Sequence, residues 1–402
     1  MPDPALNDEL REELRRLENA DLLRSRRMLE SPQSARVVVD NRPCLAFASN
    51  DYLGLANHPA IIAAAIAGVQ AFGVGAGASH LITGHSSAHH ALEKDLARFV
   101  DFPAALLFST GYMANIGTVT ALAGRGDAIF SDALNHASLI DAARLSRADI
   151  HRYPHLDVDA LGKSLAACRA RRKLVISDAV FSMDGDIAPV PTLLALCERH
   201  DAYLLLDDAH GFGVLGTGGR GVLEHFAIQS PRIIYMATLG KAAGVAGAFV
   251  AGSTELIRFL IQRARTYIYT TAMPSLLACA VSASLTVIAD ESWRRQHLQR
   301  LIARLKSGFD SNAWRLLPSD TPIQPLLLGS NQAALRVSAA LNELGILIPA
   351  IRPPTVPEGS ARLRISLSAA HSEADVSELI SALREVEAHC LNEPAPAMRN
   401  AG

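Results

Sequence analysis

From about residue 60 to 275 the chain alternates two kinds of segment, and this rhythm limits its fold more than any other feature. Short apolar runs end in small or polar residues: AALLFST, DAIFSD, KLVISDAVF, AYLLLDDAH, RIIYMAT and AGAFVAG. Between them lie helical stretches such as SAHHALEKDLARF. Buried strands alternating with helices predict an α/β fold whose mostly parallel sheet carries helices on both faces. In such sheets ligands gather beyond the carboxyl ends of the strands. The chemically able residues sit there: Ser109-Thr110-Gly111, Ser182, Asp207-Asp208, His210, and Thr238 to Lys241.

The flanks read differently. Residues 5–29 have helical periodicity, with Leu6, Leu10, Leu14, Leu17 and Leu22 near one face, an amphipathic arm. VVVDNRPCLAFAS reads as two short strands joined at Asp40-Asn41, and SNDYLGLANHP is turn chemistry. After about 285, SWRRQHLQRLIARLKSGFD and SEADVSELISALREVEAH are amphipathic helices, the second opened by Ser372 at a cap position. QPLLLG and ARLRISLSA are strand-like. The expected layout is an N-terminal arm with short strands (1–45), a large α/β domain (46–285), a smaller α+β domain (286–390) and a disordered tail (391–402).

Composition narrows the class of function. With 49% hydrophobic and 19% charged residues the chain is globular, and a net charge of −2 offers neither a nucleic-acid surface nor a patch for anionic membranes. Five scattered cysteines without a CxxC pair suggest no disulfide framework and no zinc site, and point to the reducing cytoplasm. The charged N-terminal stretch lacks the apolar core of a secretory signal. No run of about 18 apolar residues spans a membrane.

The stretch TLGKAAG places Lys241 as the only charge between Arg232 and Glu255. It is either a lysine on a surface turn or one held in a dry pocket as a nucleophile toward carbonyls. AYLLLDDAHGFG delivers Asp207, Asp208 and His210 to a strand tip. Alone, such a carboxylate caps a helix, binds a metal or pairs with a cation, and no further ligands at metal spacing accompany it. FSMDGD turns tightly through Ser182. FSTGYMAN is a strand, a turn at Gly111 and a helix from near Tyr112, whose free N–H groups make a phosphate cradle. No P-loop or dinucleotide fingerprint is present. His136 precedes a helix in NHASLIDA. The loop before ALEKDL is rich in histidine, but adjacent His89 and His90 cannot both face one ion from a helix.

One chemistry uses all of these parts. A lysine, an acidic residue at a neighbouring strand end, a phosphate cradle and a flat histidine are what pyridoxal 5′-phosphate requires. On that reading Asp207 keeps the ring nitrogen protonated, the Gly111 helix and Thr238 hold the phosphate, and His136 stacks on the ring. Lys241 is the nucleophile.

Eight motifs in order, SNDYLGL, GHSSAHHALE, FSTGYMAN, NHASLIDA, FSMDGD, DDAHGFG, TLGKAAG and RPPTVPEGSARLRISLSAAH, resemble those of the α-oxoamine synthases. The resemblance runs from about residue 20 to 385. It implies a fold-type I pyridoxal phosphate-dependent transferase that condenses an amino acid with an acyl thioester and releases carbon dioxide. ASHLITGHSSAHHALE and RPPTVPEGSARLRISLSAAH look most like the branch that joins L-alanine to a pimeloyl group, carried by coenzyme A or acyl carrier protein, in biotin synthesis. Glycine-using relatives usually carry an Arg and a GT pair where Ser79-His80 and Gly84-His85 stand here. The alternatives are a glycine- or serine-using sister enzyme and a non-catalytic pyridoxal-binding regulator.

The resemblance also implies roles. Lys241 links to the cofactor and later moves the α-proton; Asp207 faces the ring nitrogen; His210 and Ser182 lie near the phenolic oxygen; His136 stacks. Gly111, Tyr112 and Thr238 belong to the phosphate site, joined by Thr270 and Thr271 from a second subunit of a homodimer. Arg364 holds the amino acid carboxylate with Asn50 nearby, and Arg24 and Thr355 match positions near the acyl substrate. No metal is expected.

Overall fold

The computed structural model describes residues 4–311 and 313–392, so the expected disordered tail EPAPAMRNAG lies outside the described residues. The chain divides into two compact units: one joins the chain up to Ser49 with the chain from Gln299 onward, and the other is Asn50–Leu298.

In the first unit the N-terminal helix is Pro4–Asn19, ten residues shorter at its end than the periodicity over 5–29 predicts. Asp21 turns left-handed at φ 55°, and the chain then pairs with the following hairpin, Glu30 N–H donating to Val38 O at 2.9 Å. Arg24, Arg26 and Arg27 would crowd like charges on a continued helix, so the strand contacts win. The hairpin strands are Arg36–Val39 (β1) and Arg42–Ala46 (β2). Asp40 and Asn41 between them both have positive φ, 51° and 61°. That two-residue turn has the hand that matches strand twist, which explains the Asp-Asn choice.

The second unit holds a seven-stranded sheet of Ala104–Phe108 (β3), Ala128–Asp132 (β4), Asp149–Tyr153 (β5), Lys173–Asp178 (β6), Tyr203–Asp207 (β7), Ile233–Thr238 (β8) and Ala248–Gly252 (β9). Their order is β3-β9-β8-β7-β6-β4-β5, and β9 alone runs against its neighbours. The expected mostly parallel sheet is therefore present. β5, DIHRY, is not among the apolar runs because it is an edge strand whose residues stay largely exposed. Leu106, Ile129, Ile176, Leu205, Ile234 and Val250 form the core of one face with helices Gly111–Leu122, Ala137–Ser146 and Thr254–Arg263. Each such side chain, fully buried, stabilises the fold by about 1.5–3 kcal/mol.

Back in the first unit, Arg315–Leu316 (β10), Ile323–Gly329 (β11), Ile346–Leu347 (β12), Ala350–Ile351 (β13) and Ala361–Ser366 (β14) follow. β12 runs parallel beside β2, and the rest form a sheet in the order β10-β11-β14-β13. The helix Glu373–Asn392 opens as the sequence predicts: Asp375 N–H donates to Ser372 Oγ (3.1 Å) and Ser372 N–H to Asp375 Oδ2 (2.8 Å). No single helix among the described residues is long and apolar enough to cross a membrane.

One carboxyl is held at a cost. Glu93, on helix Ser87–Phe99, accepts from Leu107 N–H of β3 at 3.0 Å, and burial pushes its pKa from 4.5 up to about 7. Between those values the unfolded chain loses a proton that the folded chain keeps, so stability falls as pH rises through the window, by about 3 kcal/mol in all. Glu93→Gln, which keeps an acceptor for Leu107, is therefore expected to exceed the parent in stability above pH 7 and to match it below pH 4.5. Denaturant unfolding at the two pH values measures this.

Candidate active site

Lys241 is half-buried and its ammonium does not point into water. Its Nζ lies 2.7 Å from His210 Nε2. An ammonium can only donate, so Nε2 accepts and the ring carries its proton on Nδ1. That Nδ1 is 2.7 Å from the Tyr52 hydroxyl, which donates onward to Asn50 Oδ1 at 3.1 Å. Lys241, His210, Tyr52 and Asn50 thus form one donor chain. Gly244 locks the lysine turn against the SNDYLGL segment: at φ 69°, a Cβ there would lie 2.6 Å from Ala56 N and from Leu55 C.

Asp207 ends β7 and is buried. Its Oδ2 accepts from Asn115 Nδ2 at 2.7 Å and its Oδ1 from Ala209 N–H at 3.0 Å, both neutral donors. Asp208 turns inward, accepting from Val222 N–H (2.7 Å) and Tyr235 OH (2.8 Å). Of the two neighbours, then, Asp208 secures the fold while Asp207 stays available at the strand tip.

Parallel register sets Asp178 of β6 directly beside Asp207. Burial and the charge of Asp207 push the Asp178 carboxyl well above its ordinary range, so it presents Asp207 with a neutral neighbour. Asp178 Oδ2 accepts His136 N–H at 2.7 Å. His136 caps the helix Ala137–Ser146, its Nδ1 accepting from Ser138 N–H (3.3 Å) and lying 2.8 Å from Ser138 Oγ. The ring keeps surface open to solvent, yet desolvation on its other sides lowers its basicity. The Asp207 charge opposes that effect and Lys241 adds to it. His136 thus offers a neutral flat face. Asn115 ties the set together, its second N–H reaching Ser138 Oγ at 2.8 Å.

Gly111 begins the helix that carries Asn115 one turn later. A Cβ at Gly111 would meet nothing nearer than 3.9 Å, Thr238 Cβ among the first atoms reached, so the helix start is open and Thr238 borders it. The Thr238 hydroxyl donates to Gly247 O at 3.0 Å and so also braces the lysine turn. Tyr112 turns its side chain away to Asp141, leaving only its backbone at the helix start. Ser182 lies in the Phe181–Asp186 turn, closed by Phe181 N–H to Asp186 O at 3.0 Å. These residues fit pyridoxal phosphate: a carboxylate met by neutral donors that suits a ring nitrogen, an amine whose charge reaches His136 and Asp178, an open flat imidazole, and a helix start where Thr110 caps Met113 N–H and the N–H groups of Gly111 and Tyr112 suit a phosphate.

Thr270 and Thr271 lie on a segment braced from behind. Ser79 bridges Thr271, Ala272 N–H donates to Ala78 O at 3.0 Å, and the His80 ring stacks on Tyr267 at 4.7 Å. A π-helical turn, His80–Gly84, brings ligand atoms of His80, His85 and His89 within 4.8 Å of one another. In the sequence only the adjacent pair His89-His90 stands out, and this cluster does not show. Burial pushes all three imidazoles down, His80 to about 4, so they are neutral near pH 7. His80 Nδ1 lies 3.0 Å from His85 Nδ1. His89 accepts Ser86 N–H at Nδ1 (3.1 Å) and donates from Nε2 to Met273 O (2.8 Å). Both nitrogens of His89 are used, and the cluster works as a hydrogen-bonded prop.

In the other unit, Arg364 is buried on β14 and donates to Ser366 Oγ at 2.7 Å. Arg24 is exposed and close enough to Arg352 to repel it, and Thr355 N–H donates to Arg352 O at 3.1 Å. Sequence reasoning assigned nothing to Tyr52, Asn115, Ser138 or Asp178. Tyr52 and Asn115 stand inside quoted motifs. Asp178 ends an apolar run, and only the register gives it its neighbour.

This chain belongs to the class I and II aminotransferase family, whose model matches residues 42–383. It is 65% identical over 378 residues to 8-amino-7-oxononanoate synthase of Nitrosospira multiformis, covering 94% of this chain and 96% of that protein. It is 62% identical to the protein of that name from Nitrosomonas europaea, covering 94% and 98%. Among solved structures, serine palmitoyltransferase of Sphingomonas wittichii superposes with a TM-score of 0.90 at 29% identity, covering 97% of this chain and 99% of that one. 8-Amino-7-oxononanoate synthase from Francisella tularensis gives 0.74 at 30%, covering 86% and 99%.

Removing the Asn115 amide leaves Asp207 and Ser138 each short of a donor. Asn115→Ala is expected to lower kcat/KM about tenfold or more, and Asn115→Asp further, because a third carboxyl would join Asp207 and Asp178. Steady-state kinetics on both variants test this.

Proposed function

We propose that this chain condenses L-alanine with a pimeloyl thioester, giving 8-amino-7-oxononanoate, carbon dioxide and the free thiol carrier. High identity to enzymes named for that product supports the choice of reaction. The observation that carries the chemistry is Lys241 Nζ held 2.7 Å from His210, with the electrostatic influence of Lys241 reaching His136 and Asp178 beside Asp207. Pyridoxal 5′-phosphate, when bound, supplies an aldehyde for amines and a ring that accepts electrons released at Cα.

The residues divide the remaining work. The Asp207 carboxylate holds the proton on the ring nitrogen, and the open face of His136 fixes the ring plane. The start of the Gly111 helix, with Tyr112 N–H and Thr238, receives the phosphate, joined by Thr270 and Thr271 of a second copy. Ser182 and His210 serve the phenolic oxygen. Lys241 takes the α-proton of alanine and later returns one, and His210, held in turn by Tyr52 and Asn50, orients its amine. Arg364 is the candidate partner for the alanine carboxylate, and Arg24 and Thr355 for the acyl substrate. The five cysteines are unpaired, in keeping with a cytoplasmic enzyme.

An uncovered apolar face supports a homodimer. Helix Pro59–Phe72 buries one side, where a Cβ on Gly68 would lie 2.8 Å from Leu276 Cα, yet its other side exposes Ile62, Ile66 and Val69. Leu81, Ile82 and Tyr269, flanking the Thr270 segment, are exposed as well. A second copy is the occupant this face suits, since it would also bring Thr270 and Thr271 to a site. Ile66→Asp combined with Ile82→Asp is expected to shift sedimentation from dimer to monomer and to weaken cofactor retention.

The decisive experiment titrates the cofactor-loaded protein with L-alanine, glycine and L-serine while following visible absorption, then adds pimeloyl-coenzyme A or pimeloyl-acyl carrier protein. Product is expected with L-alanine. Preference for glycine or serine would transfer the chain to a sister reaction. Lys241→Ala is expected to lose about a thousandfold or more in kcat, and undiminished turnover would refute its role.

A further inference from the structure

His155 lies outside every motif that the sequence tied to chemistry, and it joins two loops that carry motif residues. Its Nδ1 is 2.9 Å from Asp132 Oδ1 and its Nε2 is 2.8 Å from Asp186 Oδ2. A carboxylate only accepts, so both ring nitrogens donate and the ring is an imidazolium. Burial works against that charge, but the hydrogen bonds to Asp132 and Asp186 outweigh it and raise the group to about 10. The ring also stands edge-on to Phe181, centroids 4.4 Å apart.

Each carboxylate belongs to a different loop. Asp132, buried at the end of β4, accepts Leu134 N–H (2.8 Å) through Oδ1 and Leu156 N–H (2.9 Å) through Oδ2. It thereby folds the turn that ends at His136. Asp186 closes the turn holding Ser182, its carbonyl accepting Phe181 N–H at 3.0 Å. Leu156 takes a left-handed φ of 57°, the turn that presents His155 to both partners.

We infer that His155 is a positioning residue for the condensation: its imidazolium clamps the Asp132–His136 turn to the Phe181–Asp186 turn and so fixes the spacing between His136 and Ser182. This rests on the reading that places those two residues at the cofactor. His155 touches neither cofactor nor substrate and acts through the carboxylates. The clamp needs two donors and a positive charge together, which no other neutral or singly donating side chain supplies.

The test compares parent, His155→Gln and Asp186→Asn as cofactor-loaded proteins, measuring visible absorption, the pyridoxal phosphate dissociation constant, kcat, KM for alanine and thermal melting. His155→Gln is expected to shift the cofactor absorption, weaken cofactor binding and lower kcat by roughly tenfold to a hundredfold, with a smaller change in KM. Asp186→Asn is expected to move the same readings less, and the double variant to fall short of the sum. A His155→Gln protein that melts lower but keeps the parent spectrum, dissociation constant and kcat would reduce His155 to a structural residue and overturn the inference, as would strict additivity. Failure of the parent to bind pyridoxal phosphate would instead strike the functional reading itself.

Discussion

Two carboxyl groups abreast at the tips of neighbouring parallel strands are the constraint from which the rest of the site follows. Asp178 and Asp207 pair in register and are both buried, and two like charges cannot be held there together. Burial and the Asp207 charge push the Asp178 carboxyl well above its ordinary range, while its Oδ2 still accepts the backbone N–H of His136. Asp207 is met by neutral donors alone in the contacts from Asn115 and Ala209. The helix starting at Gly111 must then bring Asn115 to the strand tip, which sets where that helix N-terminus opens. One electrostatic conflict thus fixes His136, Asp207 and the helix start at Gly111 relative to each other.

The lysine belongs to a second network anchored elsewhere. Gly244 lets the turn after β8 press against Leu55 and Ala56, and this contact brings Tyr52 and Asn50 into line behind His210. A side chain at that glycine would need both space and a left-handed backbone that other residues adopt at a cost. The small residues of TLGKAAG therefore do more than leave room for a ring. They allow two loops distant in sequence to share one hydrogen-bonded chain ending at the amine.

Much of this was legible from residue order, and the failures have physical causes. Apolar runs located six of the seven strands because those strands are buried, while DIHRY escaped because its residues stay largely exposed. Helical periodicity carried the N-terminal helix past Asn19 because it cannot see the hairpin that captures the next ten residues. Lys241, Asp207, His210 and His136 stood out by chemical type, and the structure brings them together. Asp178, Asn115 and His155 did not, since their meaning lies in register and in partners tens of residues away. The same holds for His80, His85 and His89, which meet only because a π-helical turn lies between the first two.

Backbone likeness and reaction part company in this family. A serine palmitoyltransferase at 29% identity superposes with a TM-score of 0.90, so the frame alone does not choose the amino acid or the acyl group. That choice must rest on side chains rather than on the frame, and the stretch from Ser79 to His85 holds an unusual set of them. Here it carries histidines that stay neutral because they are desolvated, and they brace the segment bearing Thr270 and Thr271 from behind. The outward side of the same region exposes Leu81, Ile82 and Tyr269. In the proposed dimer a second copy covers that side, removes more water from the histidines and makes their charging harder still. The face proposed to take a second copy and the histidine prop behind Thr270 and Thr271 are thus two sides of one segment, and a change to either acts on the other.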